Sequence, residues 1–167
     1  DGQQDLALDY LIKAIKAGEE INNKKVLISA YRLIGFVYRG NDPYKAEDYY
    51  KKSLQLCREV GDEIAASYAL SAIGNIYEGA SEKKERALKY YLESLNIRER
   101  KGSYDEIASS LNETSRIYDL MGLYNKTILL RLRGLEIAEK SGSAENIVSL
   151  NHVIGNDYAF RLHDYKR

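Results

Sequence analysis

The feature that most restricts what this chain can fold into is a pattern that returns about every 40 residues. Leu70, Ile73, Gly74 and Tyr77 fall at i, i+3, i+4 and i+7, the spacing of one stripe on a helix. The stripe recurs as Tyr31, Ile34, Gly35, Tyr38, as Leu111, Thr114, Ser115, Tyr118 and as Asn151, Ile154, Gly155, Tyr158, its closing tyrosines 39, 41 and 40 residues apart. A second stripe, Ala87, Tyr91, Ser94 and Leu95, recurs as Ala7, Leu11, Ala14, Ile15, as Ala46, Tyr50, Ser53, Leu54 and as Thr127, Arg131, Gly134, Leu135. It drifts by the same 39, 41 and 40 residues. Two patterns that drift together belong to one unit, and a fixed period of this length means a stacked array.

Each unit holds two helix patterns, so the expected fold is all-α: antiparallel hairpins piled into a solenoid of about eight helices. The expected helices are Leu6–Ile21, Val26–Arg39, Tyr44–Val60, Glu63–Glu78, Glu85–Lys101, Glu106–Met121, Lys126–Lys140 and Asn146–Leu162. Asp42 and Asp62 fit as N-caps, Pro43 fits the first helical position, and Gly61 and Gly142 fit as helix stops. Asp105 is the expected cap of the sixth helix, Asp1 to Asp5 and Gly122 to Asn125 are expected turns, and Gly79 to Lys84 is a slightly long linker. The whole chain, 1–167, is then one solenoid, with 1–23 a lone second helix, units at 24–62, 63–105 and 106–145, and 146–167 a lone first helix. Both ends fall at the same phase of the repeat, with His163 to Arg167 opening another turn, so a piece of a longer array is expected.

Gly35, Gly74, Ser115 and Gly155 sit mid-helix, where glycine costs about 1 kcal/mol relative to alanine. That cost is tolerated where two backbones come close. Ala7, Ala46, Ala87 and Thr127 are expected opposite them, small against small. Tyr38, Tyr77, Tyr118 and Tyr158 recur in register and read as hairpin packing, with hydroxyls reaching solvent or a carbonyl.

Leu70, Gly74 and Tyr77, followed by Ala87, Tyr91 and Ser94, resemble the tetratricopeptide repeat (TPR) over essentially the whole chain. The usual unit is about 34 residues; a period near 40 is similar to the extended subclass, and Ile73-Gly74-Asn75 and Ile154-Gly155-Asn156 resemble its Leu-Gly-Asn motif. The third unit departs from the pattern, with Thr114 and Ser115 for the apolar-glycine pair and Arg131 where an aromatic is usual. The resemblance implies a right-handed superhelix whose first-type helices line the inside.

The formal net charge is zero, from 25 basic and 25 acidic residues, so no global field draws in nucleic acid or a membrane surface. A lone Cys57 provides no disulfide framework, and the expected location is the cytoplasm, a missing signal sequence aside. The sequence has no phosphate loop, nucleophile elbow, C-x-x-C or H-E-x-x-H motif. His152 and His163 are roughly 16 Å apart along a helix at 1.5 Å per residue, too far to share a metal. Arg98, Arg100 and Lys101 read as a solvated basic face, and Cys57 as a small packed hydrophobe. No cofactor and no enzymatic activity are expected.

One residue beyond the packing stripe lies the inward face that the resemblance implies. It reads Ser29, Arg32, Phe36, Arg39, then Tyr68, Ser71, Asn75, Glu78, then Ser109, Asn112, Arg116, Asp119, then Ser149, His152, Asn156, Ala159. A merely solvated face would be rich in Lys and Glu; this one offers amides, hydroxyls, arginines and aromatics. Asn can bind a peptide backbone as donor and acceptor, and Arg with aromatics makes interface hot spots. The expected groove residues are therefore Arg32, Phe36, Arg39, Tyr68, Ser71, Asn75, Asn112, Arg116, His152 and Asn156, on a scaffold that holds a partner's extended or helical peptide. The competing reading is that Asn75 and Asn156 only bridge neighbouring units. The Lys/Asn/Lys/Arg clamp of chaperone adaptors cannot be assembled here. Other functions to weigh are a sensory or regulatory module of a larger kinase or transcription regulator, and self-assembly through the open ends, where Leu11 and Ile15 are expected to be exposed.

Overall fold

The computed structural model describes residues 2–79 and 83–160 of the chain. Eight helices follow one another: α1 (Gly2–Glu20), α2 (Lys24–Tyr38), α3 (Pro43–Val60), α4 (Glu63–Glu78), α5 (Lys84–Lys101), α6 (Tyr104–Leu120), α7 (Tyr124–Ser141) and α8 (Ala144–Phe160). No strand occurs among the described residues. The expected linker at residues 80–82, the end of the last helix at Leu162, His163 and the closing turn lie outside them.

Local chemistry sets the boundaries. Asn23, Asp42 and Asp62 each accept from the backbone N–H three residues on, capping α2, α3 and α4. Pro43 opens α3, where its missing N–H costs nothing. Gly61 and Gly142 close α3 and α7 at φ 74°, a left-handed conformation that glycine adopts without strain. The cap of α6 is Ser103, not Asp105. Its hydroxyl accepts from Glu106 N–H while the Glu106 carboxylate accepts from Ser103 N–H, a reciprocal box that satisfies two orphan donors where Asp105 could satisfy one. The expected turns are also shorter than read. Gly2 to Asp5 continue α1, and Tyr124 and Asn125 already belong to α7, because Leu123 and the Gly122 corner suffice to reverse the chain.

Each helix packs chiefly on the one before and the one after it, as a one-dimensional array requires. The first-type helices α2, α4, α6 and α8 also touch in succession, whereas the second-type helices α1, α3, α5 and α7 do not meet one another to a comparable degree. The stack therefore curves, with the first-type helices on its inner wall.

The core is a ribbon through the hairpins. Ile28, Tyr50, Leu54, Leu70, Ile73, Tyr91 and Ile117 form its larger part, and Ala108, Ala138, Leu150 and Ile154 continue it. The glycine slots hold more than a small partner. A Cβ on Gly74 would come within 2.9 Å of the Tyr91 ring, and one on Gly35 within 2.7 Å of the Tyr50 ring. Space over these glycines is taken by the aromatic of the facing helix, one turn beyond Ala87 and Ala46, which corrects the small-against-small pairing. Among the described residues, a Cβ on Gly155 meets nothing within 4 Å. Tyr77 is buried, Tyr38 and Tyr118 are half-buried, but Tyr158 is exposed, so the fourth member of that stripe does not pack as expected. Leu11 and Ile15 turn toward α2 and are half-buried; the exposed apolar residues of α1 are Leu6, Tyr10 and Ile12.

Candidate functional site

The inner wall carries a depression of about 180 Å³ where α2, α4 and α6 meet. Arg32, Phe36 and Arg39 reach it from α2, Tyr68, Ser71 and Asn75 from α4, and Ser109 and Glu113 from α6, while Tyr50 and Arg98 arrive from the second-type helices behind. Six of the ten groove residues expected from the sequence are thus brought together. Arg116 borders Asn75 farther along the wall, 3.0 Å from its amide oxygen. Asn112 is half-buried on α6 outside the depression, and His152 and Asn156 are exposed on α8, with no hydrogen bond or ion pair among the described residues.

The floor of the depression is a buried charged network. Arg98 is only 2% exposed. Its Nε donates to Ser67 Oγ at 3.1 Å, its Nη2 to Ser71 Oγ at 3.4 Å, and its Nη1 lies 3.5 Å from a Glu113 carboxylate oxygen. Ser71 donates to the same Glu113 oxygen at 2.7 Å. The guanidinium lies over the Tyr68 ring, 4.7 Å from its centroid, and the Tyr68 hydroxyl donates to Glu106 at 2.7 Å. Burial, reinforced by Glu106, pushes the Tyr68 phenol up; Ser103 N–H, then Tyr68, hold the Glu106 carboxyl down.

Arg98 therefore does not belong to a solvated basic face, although Arg100 and Lys101 do, both near Glu63. The signal was in the sequence. Arg98 continues the stripe Ala87, Tyr91, Ser94, and Gly18, Cys57 and Ala138 hold the same place in the other second-type helices. All four are buried. A slot that three units fill with a small residue is filled here by a charge, and Glu113 and the serines of α4 compensate it.

Above this floor, Arg32 and Arg39 differ from the other wall arginines. Both are exposed, and neither has an ion pair among the described residues. Arg39 stacks on Phe36, 4.7 Å from the ring centroid. Burial raises the Tyr50 phenol, and the positive charges of Arg39 and then Arg32 oppose that rise.

Farther along, the wall is self-neutralised. Arg116 Nε is 2.6 Å from Glu78, and the buried Tyr91 hydroxyl, with one proton to give, lies 2.6 Å from the Glu78 carboxylate and 2.9 Å from the Asn75 amide oxygen. The Asn75 amide nitrogen donates to Ser71 O at 3.0 Å. Asn75 thus ties α4 to α5 and α6 through its amide oxygen, while its nitrogen bonds back within α4. Beyond it, the buried Arg131 of α7 is paired with Asp157 of α8 and lies 3.7 Å from Asp119 of α6.

Residues 27–100 match the family model of the tetratricopeptide repeat. Residues 27–100 carry tetratricopeptide repeats. No curated protein matches it in sequence. Its fold is similar to that of RapI in its apo form, with a TM-score of 0.78 at 20% identity over 96% of this chain and 46% of that one. BtubC (BKLC) from P. vanneervenii gives a TM-score of 0.73 at 16% identity over 85% of this chain and 59% of that one. A signal transduction ATPase with numerous domains (STAND) protein with a tetratricopeptide repeat sensor, from Pyrococcus horikoshii, gives 0.73 at 21% identity over 96% of this chain and 27% of that one. At these identities the likeness is one of fold, and the chain spans between about a quarter and three-fifths of those proteins' lengths. A TPR array is in general a protein–protein interaction module, and no helix among the described residues is long and apolar enough to cross a membrane.

Proposed function

We propose that this TPR array is an interaction scaffold that holds an extended or helical segment of a partner protein against its inner wall. The observation that carries this reading is the depression on that wall. Exposed Arg32, Phe36, Arg39 and Tyr68, residue types typical of binding hot spots, surround a buried, hydrogen-bonded floor. A solvated helix face has no need of a preorganised floor, and rigid presentation of arginine and aromatic side chains lowers the ordering cost of binding. Asn112, Arg116, His152 and Asn156 extend the same wall and are proposed as its outer contacts. Neither a catalytic residue nor a cofactor forms part of this reading.

The experiment is a pull-down with the purified chain, comparing wild type with a Phe36→Ala/Arg39→Ala variant, since these two stack on one another rather than on the floor. Both side chains are exposed, so the variant should keep a melting temperature close to that of wild type while losing the partners that wild type retains. Equal recovery by both proteins would sink the groove assignment. A second reading is a sensory module within a larger signalling protein. It draws support from the STAND protein, whose description names a tetratricopeptide repeat sensor and whose fold matches 96% of this chain. Finding a kinase or DNA-binding domain in the same gene would favour it, and the inner wall would then be the sensing surface.

A further inference from the structure

We infer that the depression between α2 and α4 is an anion subsite, built to take one acidic side chain of the bound segment. This inference rests on the groove reading above and adds to it a ligand chemistry, a position and a direction. Of the three arginines that line the depression, Arg98 is already held by its one carboxylate, Glu113, which leaves Arg32 and Arg39 uncompensated there. Positive charge is therefore concentrated at this spot.

The equivalent positions along the wall give the direction. Arg39 is followed, one unit on, by Glu78 and then by Asp119. Glu78 already has Arg116 at 2.6 Å, and Arg131 lies 3.7 Å from Asp119, so that part of the wall offers a ligand little unbalanced charge. Arg32 and Arg39 have no carboxylate among the described residues. Their spacing of seven residues puts them about 10 Å apart along α2, at 1.5 Å per residue, on one face. An acid entering between them could be met by two guanidinium groups, each able to donate twice to a carboxylate.

Size and lining limit the occupant. At about 180 Å³ the depression is smaller than the clefts of 300–1,000 Å³ that take drug-sized ligands, so it suits a side chain rather than a cofactor. Phe36 and Tyr68 on its rim would cover the apolar stem of that side chain or a neighbouring apolar residue. Arg98 takes no direct part in capture. It is held by Ser67, Ser71 and Glu113, and positions Tyr68 by lying over its ring.

The test uses fluorescein-labelled synthetic peptides of twelve residues with glutamate alternating with leucine and phenylalanine. A set with glutamine at every glutamate and a set with phosphoserine there serve as comparisons, all read by fluorescence polarisation at low and high salt. The glutamate peptide should bind at least tenfold more tightly than its glutamine counterpart, and the gap should shrink as salt is raised. Arg32→Ala/Arg39→Ala should abolish the gap at an unchanged melting temperature. Stronger binding of the phosphoserine peptide, lost in the same variant, supports the subsite and makes a phosphorylated segment its source. A glutamate preference that survives in the double variant overturns the inference. So does equal binding of glutamate and glutamine peptides; if Tyr68→Ala weakens both, the groove reading stands alone. Binding of no peptide, whatever its charge, removes both.

Discussion

The hairpin α4/α5 and the hairpin α6/α7 solve one packing problem in two ways. In the first, Gly74 leaves room for the Tyr91 ring, and the hydroxyl of that ring ends on Glu78 and Asn75. In the second, Ser115 stands where Gly74 does and Arg131 where Tyr91 does. A guanidinium in that slot needs carboxylates, and Asp119 and Asp157 provide them, Asp157 being 3% exposed. A neutral ring brings apolar burial and one polar tip. The charged replacement carries a desolvation cost that only well-placed partners offset. The repeat thus fixes the geometry of the slot but not its chemistry, and each choice of occupant obliges its neighbours.

The largest expected effect comes from removing the charged occupant. Arg131→Leu takes away the guanidinium that faces two acidic residues, one of them deeply buried, and breaking one side of such a group costs about 3–5 kcal/mol. Urea unfolding followed by circular dichroism should show it directly. Adding Asp119→Asn and Asp157→Asn to the same protein should recover much of the loss. If Arg131→Leu alone is nearly neutral, the slot does not depend on charge and the contrast between the hairpins is misdrawn.

Next comes the glycine that makes the first hairpin possible. Gly74→Leu drives a side chain into the Tyr91 ring and should cost about 1–3 kcal/mol or more by overpacking. Gly155→Ala is its control. Among the described residues nothing lies within 4 Å of a Cβ there, so the change should stabilise by about 0.5–1 kcal/mol through helix propensity alone. The two thermal melts should therefore move in opposite directions. A destabilised Gly155→Ala would mean that its face is covered in solution.

The array and most helix positions were legible because period and stripe spacing follow from helix geometry, and positions such as those of Leu70, Gly74 and Tyr77 return in every unit even where the residue changes. Boundaries set by a single side chain were less so: Ser103 outcompetes Asp105 because it pairs reciprocally with Glu106. The inward face could be read from one offset of the stripe, which is why Arg32, Phe36, Arg39, Tyr68, Ser71 and Asn75 meet at one depression. Its floor was missed because charge on a second-type helix suggests solvent. Arg98 is buried only because α4 and α6, some 27 and 15 residues away in sequence at Ser71 and Glu113, supply partners. Periodicity reports which face a residue occupies; it does not report what the facing helix offers.

The smallest effect sharpens the other half of the comparison. Tyr91→Phe keeps the ring against Gly74 but deletes the hydroxyl bonded to Glu78 and Asn75, which Arg116 still holds, so about 0.5–1.5 kcal/mol should be lost at neutral pH. Burial, reinforced by Glu78, raises the Tyr91 phenol well above its ordinary value. In the unfolded chain a tyrosine ionises near pH 10, at about its reference value. Below that pH both states keep the proton and the contribution to stability is whole; above it only the unfolded state releases the proton, and stability falls as pH rises. Tyr31, Tyr50, Tyr68 and Tyr77 are raised for the same first reason and act in the same direction. Wild type should therefore lose stability steadily from about pH 10 upward, and Tyr91→Phe should lose it less steeply, by up to one proton per molecule unfolded. Parallel alkaline slopes for the two proteins would show that the Tyr91 hydroxyl meets solvent, and that the neutral slot is not sealed as the charged one is.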